Sequence, residues 1–170
     1  MRKPLSMSVL CLVVLAVDVQ AQTGAAPAAA KVESSWKCAA PNPVHMLPVG
    51  DQPDHAYGVQ QGKCTATKGE FAGVKEKEGT STEFVEATGN TAKGHGVFLE
   101  TMANGDTITS SYSFTGTSSN KVLQSASNKW TIMSGTGKFK GIKGSGTCKG
   151  KGSPDGSAVF DCVGTYTMPK

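Results

Sequence analysis

Residues 143–167 read KGSGTCKGKGSPDGSAVFDCVGTYT, two runs typical of β-strands separated by a Pro-Asp-Gly turn at 154–156. Proline presets the first φ angle of a turn and glycine accepts the left-handed conformation, so the tripeptide predicts a three-residue hairpin loop. In that register Ser153 pairs with Ser157. Because side chains alternate between the two faces of a strand, this one pair determines every other pair along the hairpin.

The count places Cys148 directly opposite Cys162. Opposed residues of an antiparallel pair lie about 4.5–5.5 Å apart, within the range that a disulfide bridges. We therefore predict this bridge, and a second one that ties Cys38, in a proline-rich segment, to Cys64 on the first strand. Zinc is the less favoured alternative, because no CxxC pair is present and the three histidines are scattered. We predict no metal site and no cofactor.

Outward from this hairpin, short runs rich in Thr, Ser, Val, Phe and Tyr recur along the chain, with glycines between and within them. They lie at 57–66, 81–88, 94–102, 107–116, 121–133, 143–151 and 157–167. No window keeps a helical period, so the sequence predicts an all-β fold, either an antiparallel sandwich or a barrel. The glycines within strands favour a closed barrel of about eight strands. The one long insertion, at 69–79, is placed to cap a barrel mouth.

Residues 1–21 have the pattern of a signal peptide, with a basic start, an apolar stretch at 7–17 and small residues at the end. Cleavage after Ala21 predicts an exported protein, periplasmic or extracellular, in which cysteines are oxidised. The apolar stretch is too short to span a bilayer and no second one follows it, so we predict no membrane span. We expect a flexible leader at 22–35 and a single domain at 36–170.

The charge balance is mild. Loss of Arg2, Lys3 and Asp18 with the signal leaves 15 basic and 12 acidic residues, a net charge of +3, which is too small to predict nucleic-acid binding. The lysines between 138 and 151 are typical of a solvated strand face, and an anion-binding patch is the less favoured alternative.

A second turn, Asn104-Gly105, is typical of a two-residue type I′ loop, because both residues tolerate positive φ angles. Counting outward from it gives a register in which one face of the hairpin is apolar. That face includes His95, Val97, Leu99, Ile108, Tyr112 and Phe114, whereas Phe98, Glu100 and Met102 fall on the opposite, solvated face. His95 is therefore predicted to point inward, close to Tyr112.

His95 and Tyr112 become an acid-base set if a carboxylate joins them. The preceding strand supplies Glu83 in one register, or Phe84 and Glu86 after a one-residue slip. We take His95, Tyr112 and Glu83 as the candidate catalytic residues, and a hydrogen-bonded core pair of His95 and Tyr112 is the alternative. The predicted ligand-contacting residues are Val97, Leu99, Ile108, Phe114, His55 and Tyr166.

His55 follows Asp54 at the start of the first predicted strand, which places both residues at the barrel mouth. There the pair can form part of a binding site. Capping of the turn is the favoured role for His55, and the binding site is the alternative.

Residues 130–150 read WTIMSGTGKFKGIKGSGTCKG, and here the chain resembles the allene oxide cyclase and dirigent-like barrels of the calycin superfamily. The motif that it shares with them is Gly-Thr-Gly-Lys-Phe at 135–139, followed by a glycine-rich strand. The resemblance, over residues 55–167, implies an eight-stranded antiparallel barrel around an apolar cavity, with Phe139 at one end. Within this group, the chain resembles small exported bacterial proteins with the same barrel most. No family catalytic residue can be transferred to a numbered position.

The resemblance and the apolar inward face together predict binding of a small apolar or aromatic molecule in the cavity. Cyclase, isomerase or lyase activity on that molecule is the enzymatic form of this hypothesis. The alternative is a non-catalytic structural or protein-interaction barrel that is filled by its own side chains. The ligand and the oligomeric state stay open.

Overall fold

The computed structural model describes residues 28–169. The predicted signal peptide and residues 22–27 of the predicted leader lie outside the described residues. The strands are β1 Ala30–Cys38, β2 Val44–Pro48, β3 His55–Lys68, β4 Glu70–Phe71, β5 Val74–Thr88, β6 Thr91–Met102, β7 Thr107–Ser119, β8 Val122–Gly135, β9 Lys143–Gly152 and β10 Ala158–Thr167, with a 3₁₀ turn at Gly137–Phe139.

Eight of these strands close into an antiparallel barrel, in the order β1, β10, β9, β8, β7, β6, β5, β3 and back to β1. One edge of β3 is shared, because β1 pairs with its C-terminal half and β2 with its N-terminal half. The predicted all-β barrel is therefore confirmed, and the sandwich alternative is wrong. Within residues 28–169, no helix is long and apolar enough to cross a membrane.

The first strand begins earlier than the sequence predicted. β1 starts at Ala30, which pairs with Tyr166, and Val32 is buried against the core. The prediction of a flexible leader at 22–35 is therefore wrong for residues 30–35. Their composition gives little β-strand signal on its own, and they become a strand because β10 offers nine successive pairing partners.

Both predicted disulfides are present, Cys38–Cys64 and Cys148–Cys162. The hairpin at 154–156 has the predicted register, with Ser153 bonded to Ser157 across a three-residue loop. Each bridge joins two residues that lie directly opposite each other on neighbouring strands, and all four cysteines stand at positions that alternate toward the barrel interior.

The hairpin between β6 and β7 has a different register from the predicted one. Thr101 pairs with Thr107, and the loop contains three residues, with Gly105 in the left-handed region at φ 87°. The predicted two-residue loop is wrong by one residue, and a one-residue slip turns every side chain of one strand to the other face. The prediction is correct for the β7 residues Ile108, Tyr112 and Phe114, which face inward. It is wrong for the β6 residues His95, Val97 and Leu99, which face outward and are exposed.

One end of the barrel is sealed by apolar side chains. Phe139, in the 3₁₀ turn, has no exposed surface, so its expected place at a barrel end is confirmed. The segment 69–79 caps the same end, as expected, through the buried side chain of Phe71. The full buried cluster is Val32, Phe71, Met102, Ile108, Ile132, Phe139, Ile142 and Tyr166.

Glycines on the interior face allow aromatic rings to lie directly against the wall. A Cβ atom at Gly146 or Gly164 would overlap the indole of Trp130, and one at Gly94 would meet the ring of Phe114. The strand glycines that favoured a barrel in the sequence therefore have a second role, which is to make room for interior rings.

Candidate functional site

The interior half of the barrel away from Phe139 is less completely buried than the sealed end, although Val85 there is only 7% exposed. Most of its other inward side chains are half-buried, in contrast to the fully buried cluster at the sealed end. They include Gln60, Glu83, Phe98, Tyr112, Phe114, Asn128, Trp130 and Phe160. Interior aromatic rings that water can reach are the usual lining of a small-molecule site.

Three polar side chains meet within this half. The hydroxyl of Tyr112 donates a hydrogen bond to Glu83 Oε2 at 2.5 Å, and Gln60 Nε2 donates to Glu83 Oε1 at 2.5 Å. Burial, and then the charge of Glu83, raise the pKa of Tyr112, so its hydroxyl keeps its proton. The arrangement supplies one hydroxyl that stays protonated and one carboxylate, on interior positions within hydrogen-bonding distance.

Glu83 faces inward because β5 and β6 are joined by a tight turn in which Thr88 pairs with Thr91. Of the two registers that the sequence left open, the structure has the one with Glu83 inside and Phe84 outside. No sequence signal indicated Gln60. It faces inward at an alternating position of β3 and pairs with Glu83 across the β3–β5 ladder.

His95 does not belong to this set. It is exposed on the outer wall, where its ring stacks on Phe84 with centroids 5.4 Å apart. The predicted contact between His95 and Tyr112 depended on a two-residue loop at Asn104-Gly105. Because the loop has three residues, His95 faces outward and the contact does not form. An acid-base set in this interior therefore consists of Tyr112 and Glu83.

The predicted ligand-contacting residues are divided by the structure. Phe114 lies in the open half, with its ring centroid 6.3 Å from that of Tyr112. Ile108 and Tyr166 also face inward, but both are buried at the sealed end, where the Tyr166 hydroxyl accepts a hydrogen bond from Ala72 N. Val97 and Leu99 lie on the outer wall, for the same register reason as His95.

His55 is buried at the open end of the barrel, as the first residue of β3. Its Nδ1 lies 2.6 Å from Asp51 Oδ1, and its Nε2 lies 3.6 Å from Glu86 Oε1. The hydrogen bond from His55 lowers the pKa of Asp51. The partner is thus Asp51 rather than the predicted Asp54, and the pair holds the loop before β3 against the barrel.

A buried pair of carboxyl groups was missed by the sequence reasoning. Glu76 and Glu100 are 8% and 6% exposed, and the hydroxyl of Ser34 donates to Glu76 Oε1 at 2.7 Å. Burial raises the pKa of Glu76 to about 7, and burial together with Glu76 raises the pKa of Glu100 to about 9. The incorrect hairpin register had placed Glu100 on the solvated face. The sequence did contain a signal for the burial of Glu100. Phe98 and Met102, two apolar residues, lie two positions before and after it and therefore on the same face of the strand.

Within residues 28–169, no group of three or more His, Cys, Asp or Glu side chains is arranged to hold a metal ion. The hydrogen bonds in the interior define the candidate site as Tyr112, Glu83 and Gln60, together with the surrounding rings.

Taken together, the fold and the interior define a disulfide-stapled, eight-stranded antiparallel barrel with one sealed and one open end. No protein-family model and no curated protein matches the sequence.

Among solved structures, the chain is similar to the pterocarpan synthase dirigent protein PsPTS1, with a TM-score of 0.48 and 14% identity, covering 84% of this chain and 97% of that chain. It is also similar to the pterocarpan synthase dirigent protein GePTS1, with a TM-score of 0.47 and 13% identity, covering 84% and 90% of the two chains. Both of these solved structures are dirigent proteins. We draw no conclusion about activity from similarity at this level. The allene oxide cyclase and bacterial parts of the resemblance stay predictions.

Proposed function

We propose that the barrel binds a small, largely apolar or aromatic molecule in its open half. The observation that supports this most directly is the contrast between the two halves of the interior. Phe139 and Ile108 are 0% and 1% exposed, whereas Tyr112, Phe114 and Trp130 remain accessible. A barrel that only filled itself would bury both halves alike.

The bound molecule would contact rings on several walls and a polar group on one. Phe98, Phe114 and Trp130 supply the apolar surface, each on a different strand. Glu83 and Tyr112 supply the polar contact, because a carboxylate oxygen has lone pairs beyond the hydrogen bonds that it already accepts. Sites that orient an apolar ligand usually have many aromatic or apolar side chains and only a few polar groups.

The same pair supports an isomerase, cyclase or lyase activity as the finer proposal. Glu83 would accept a proton from the ligand, and the Tyr112 hydroxyl, which its raised pKa keeps protonated, would then move its hydrogen bond from Glu83 to a ligand oxygen that gains negative charge. In an isomerisation Glu83 returns the proton to another atom of the same molecule, so no co-reactant is required.

The proposal includes export. The two disulfides support an oxidising compartment, and the sequence at 1–21 supports a signal peptide with cleavage after Ala21.

The experiment is a thermal-shift screen of small aromatic and polycyclic compounds on the oxidised protein, followed by calorimetry of the compounds that raise the Tm. Tyr112→Phe and Glu83→Gln should each weaken binding by about 3- to 10-fold, the loss of one hydrogen bond. His95→Ala is the matched control, because His95 lies on the outer wall. If no compound raises the Tm, or if His95→Ala weakens binding as much as Tyr112→Phe, the interior site is refuted.

The non-catalytic, protein-interaction barrel is the second candidate, and one observation favours it. Phe84 is 59% exposed and Leu99 is 47% exposed on neighbouring strands of the outer wall, beside Val97 and His95. Clusters of exposed large apolar side chains are typical of protein contacts. A failed ligand screen, with this surface intact, would leave the interaction function as the better explanation.

A further inference from the structure

A groove of about 720 Å³ crosses strands β5 to β9 near the open end of the barrel. Most of its lining side chains stand at the positions of each strand that face outward, and all of these except the half-buried Glu86 and Thr88 are exposed. The groove therefore lies on the outer wall, separate from the interior site. Its lining includes a row of small residues, Ala92, Gly116, Ala126 and Gly150, which the strand register aligns across four strands.

Two rows of outward side chains flank these small residues. The first row contains Glu86, Lys93, Thr115, Ser127 and Lys149, and the second contains Thr88, Thr91, Thr117, Ser125 and Lys151. The groove thus offers hydroxyl groups along its length and ammonium groups toward its two ends. Its lining holds no aromatic residue and no Val, Leu, Ile or Met. A fitting ligand has many hydrogen-bonding groups and a negative charge.

The positive charge of the groove is only partly neutralised. Glu86 is its one acidic residue, and it is already engaged by Lys93 Nζ at 3.2 Å and by His55 Nε2 at 3.6 Å. Within residues 28–169, Lys149 and Lys151 form no ion pair; Asp161 stands opposite Lys149 on β10, where it accepts a hydrogen bond from Ser35. These two lysines, on one strand and two residues apart, are therefore available to an anionic ligand.

The dimensions of the groove favour a chain over a small ion. Lys93 on β6 and Lys149 on β9 are separated by three strand spacings, which is about 14 Å. An ion of a few ångströms contacts one end only, whereas an extended polymer reaches both. Single-stranded nucleic acid fits poorly, because its usual sites stack bases on aromatic side chains and this groove has none.

We propose that this groove binds an acidic polysaccharide, a chain of sugar units that bears carboxylate or sulfate groups. The hydroxyls of the threonines and serines match those of the sugar, and the lysines match its anionic groups. The proposal takes up the less favoured alternative for the lysines between 138 and 151, an anion-binding patch. The proposal does not depend on the interior ligand site, because the two sites share no side chain.

The test uses the mature, oxidised protein and four polymers: polygalacturonate, dextran sulfate and neutral dextran of similar length, and a single-stranded DNA oligonucleotide. Binding is measured by calorimetry at increasing NaCl concentrations. The double variant Lys149→Gln/Lys151→Gln removes the two unpaired charges. The matched control, Lys31→Gln/Lys63→Gln, removes two exposed lysines of β1 and β3, outside the groove.

At least one acidic polymer should bind more weakly as salt rises, and neutral dextran should not bind. The preferred polymer identifies carboxylate or sulfate as the recognised group. The groove variant should lose about tenfold in affinity, while the control changes less than about twofold. The proposal is overturned if neither acidic polymer binds, if both variants lose affinity equally, or if a single-stranded DNA oligonucleotide binds as tightly as the better polysaccharide.

Discussion

Replacing Glu100 with glutamine should stabilise the barrel at neutral and alkaline pH. Glu100 is 6% exposed and lies beside Glu76, a second buried carboxyl group. Burial and this neighbour raise its pKa from the ordinary 4.5 to about 9. The folded protein therefore keeps a proton on Glu100 over a range of pH in which the unfolded chain releases it.

The sign and size of the effect follow from this difference in pKa. Because the folded state binds more protons, the free energy of unfolding of the wild type falls as pH rises from 4.5 toward about 9, and levels off above. Between 4.5 and pH 7 the cost amounts to about 3 kcal/mol, at roughly 1.4 kcal/mol per pH unit. Glutamine does not titrate, so Glu100→Gln removes this cost and changes little near pH 4.5.

Urea unfolding, followed by tryptophan fluorescence at several pH values, measures the difference. With an m-value of roughly 2 kcal/mol/M, the midpoint should rise by about 1.5 M at pH 7 and by far less at pH 5. Glu70→Gln is the control, because Glu70 is an exposed glutamate on β4, the strand that pairs with the start of β5. This variant should show no such pH dependence. A wild type whose unfolding free energy rises from pH 5 to pH 8, or a variant effect that is equal at both, would refute the reasoning.

Removing the Cys148–Cys162 bridge with Cys148→Ser/Cys162→Ser should lower the free energy of unfolding by about 3 kcal/mol, because the bridge closes a loop with a sequence separation of 14. An unchanged urea midpoint, measured without reductant, would contradict this prediction. Gly146→Ala should cost about 1–3 kcal/mol and shift the fluorescence of Trp130, because the new Cβ would overlap both the carbonyl oxygen of Val163 and the indole. Combining Gly146→Ala with Trp130→Leu should restore part of the lost free energy of unfolding. If the double variant is no more stable than Gly146→Ala alone, the overlap with the indole is contradicted.

Local chemistry alone determined several features of this protein. The Pro-Asp-Gly turn at 154–156 permits one loop length, so the pairing of its strands and the Cys148–Cys162 bridge followed by counting. The remaining cysteines, Cys38 and Cys64, then had one arrangement. The motif at 135–139 indicated the barrel and its plug, because glycines free a tight corner and leave Phe139 to be buried.

Other features depended on contacts between distant strands. Asn104-Gly105 is compatible with both a two-residue and a three-residue loop, so these two residues do not determine the loop length. The choice comes from the burial of Met102 and from the packing of Phe98 against Trp36 inside the barrel. Consequently His95 lies outside, although local pattern placed it inside.

The interior site and the buried carboxyl pair belong to this second class. Gln60, Glu83 and Tyr112 come from three strands, and Glu76 meets Glu100 only after an irregularity in β5 shifts its register. Ala30–Ser35 likewise becomes a strand only where β10 pairs with it. The physical reason is the same in each case. A strand has two faces of nearly equal local energy, and the assignment of one face to the interior is made by the pairing of the whole barrel.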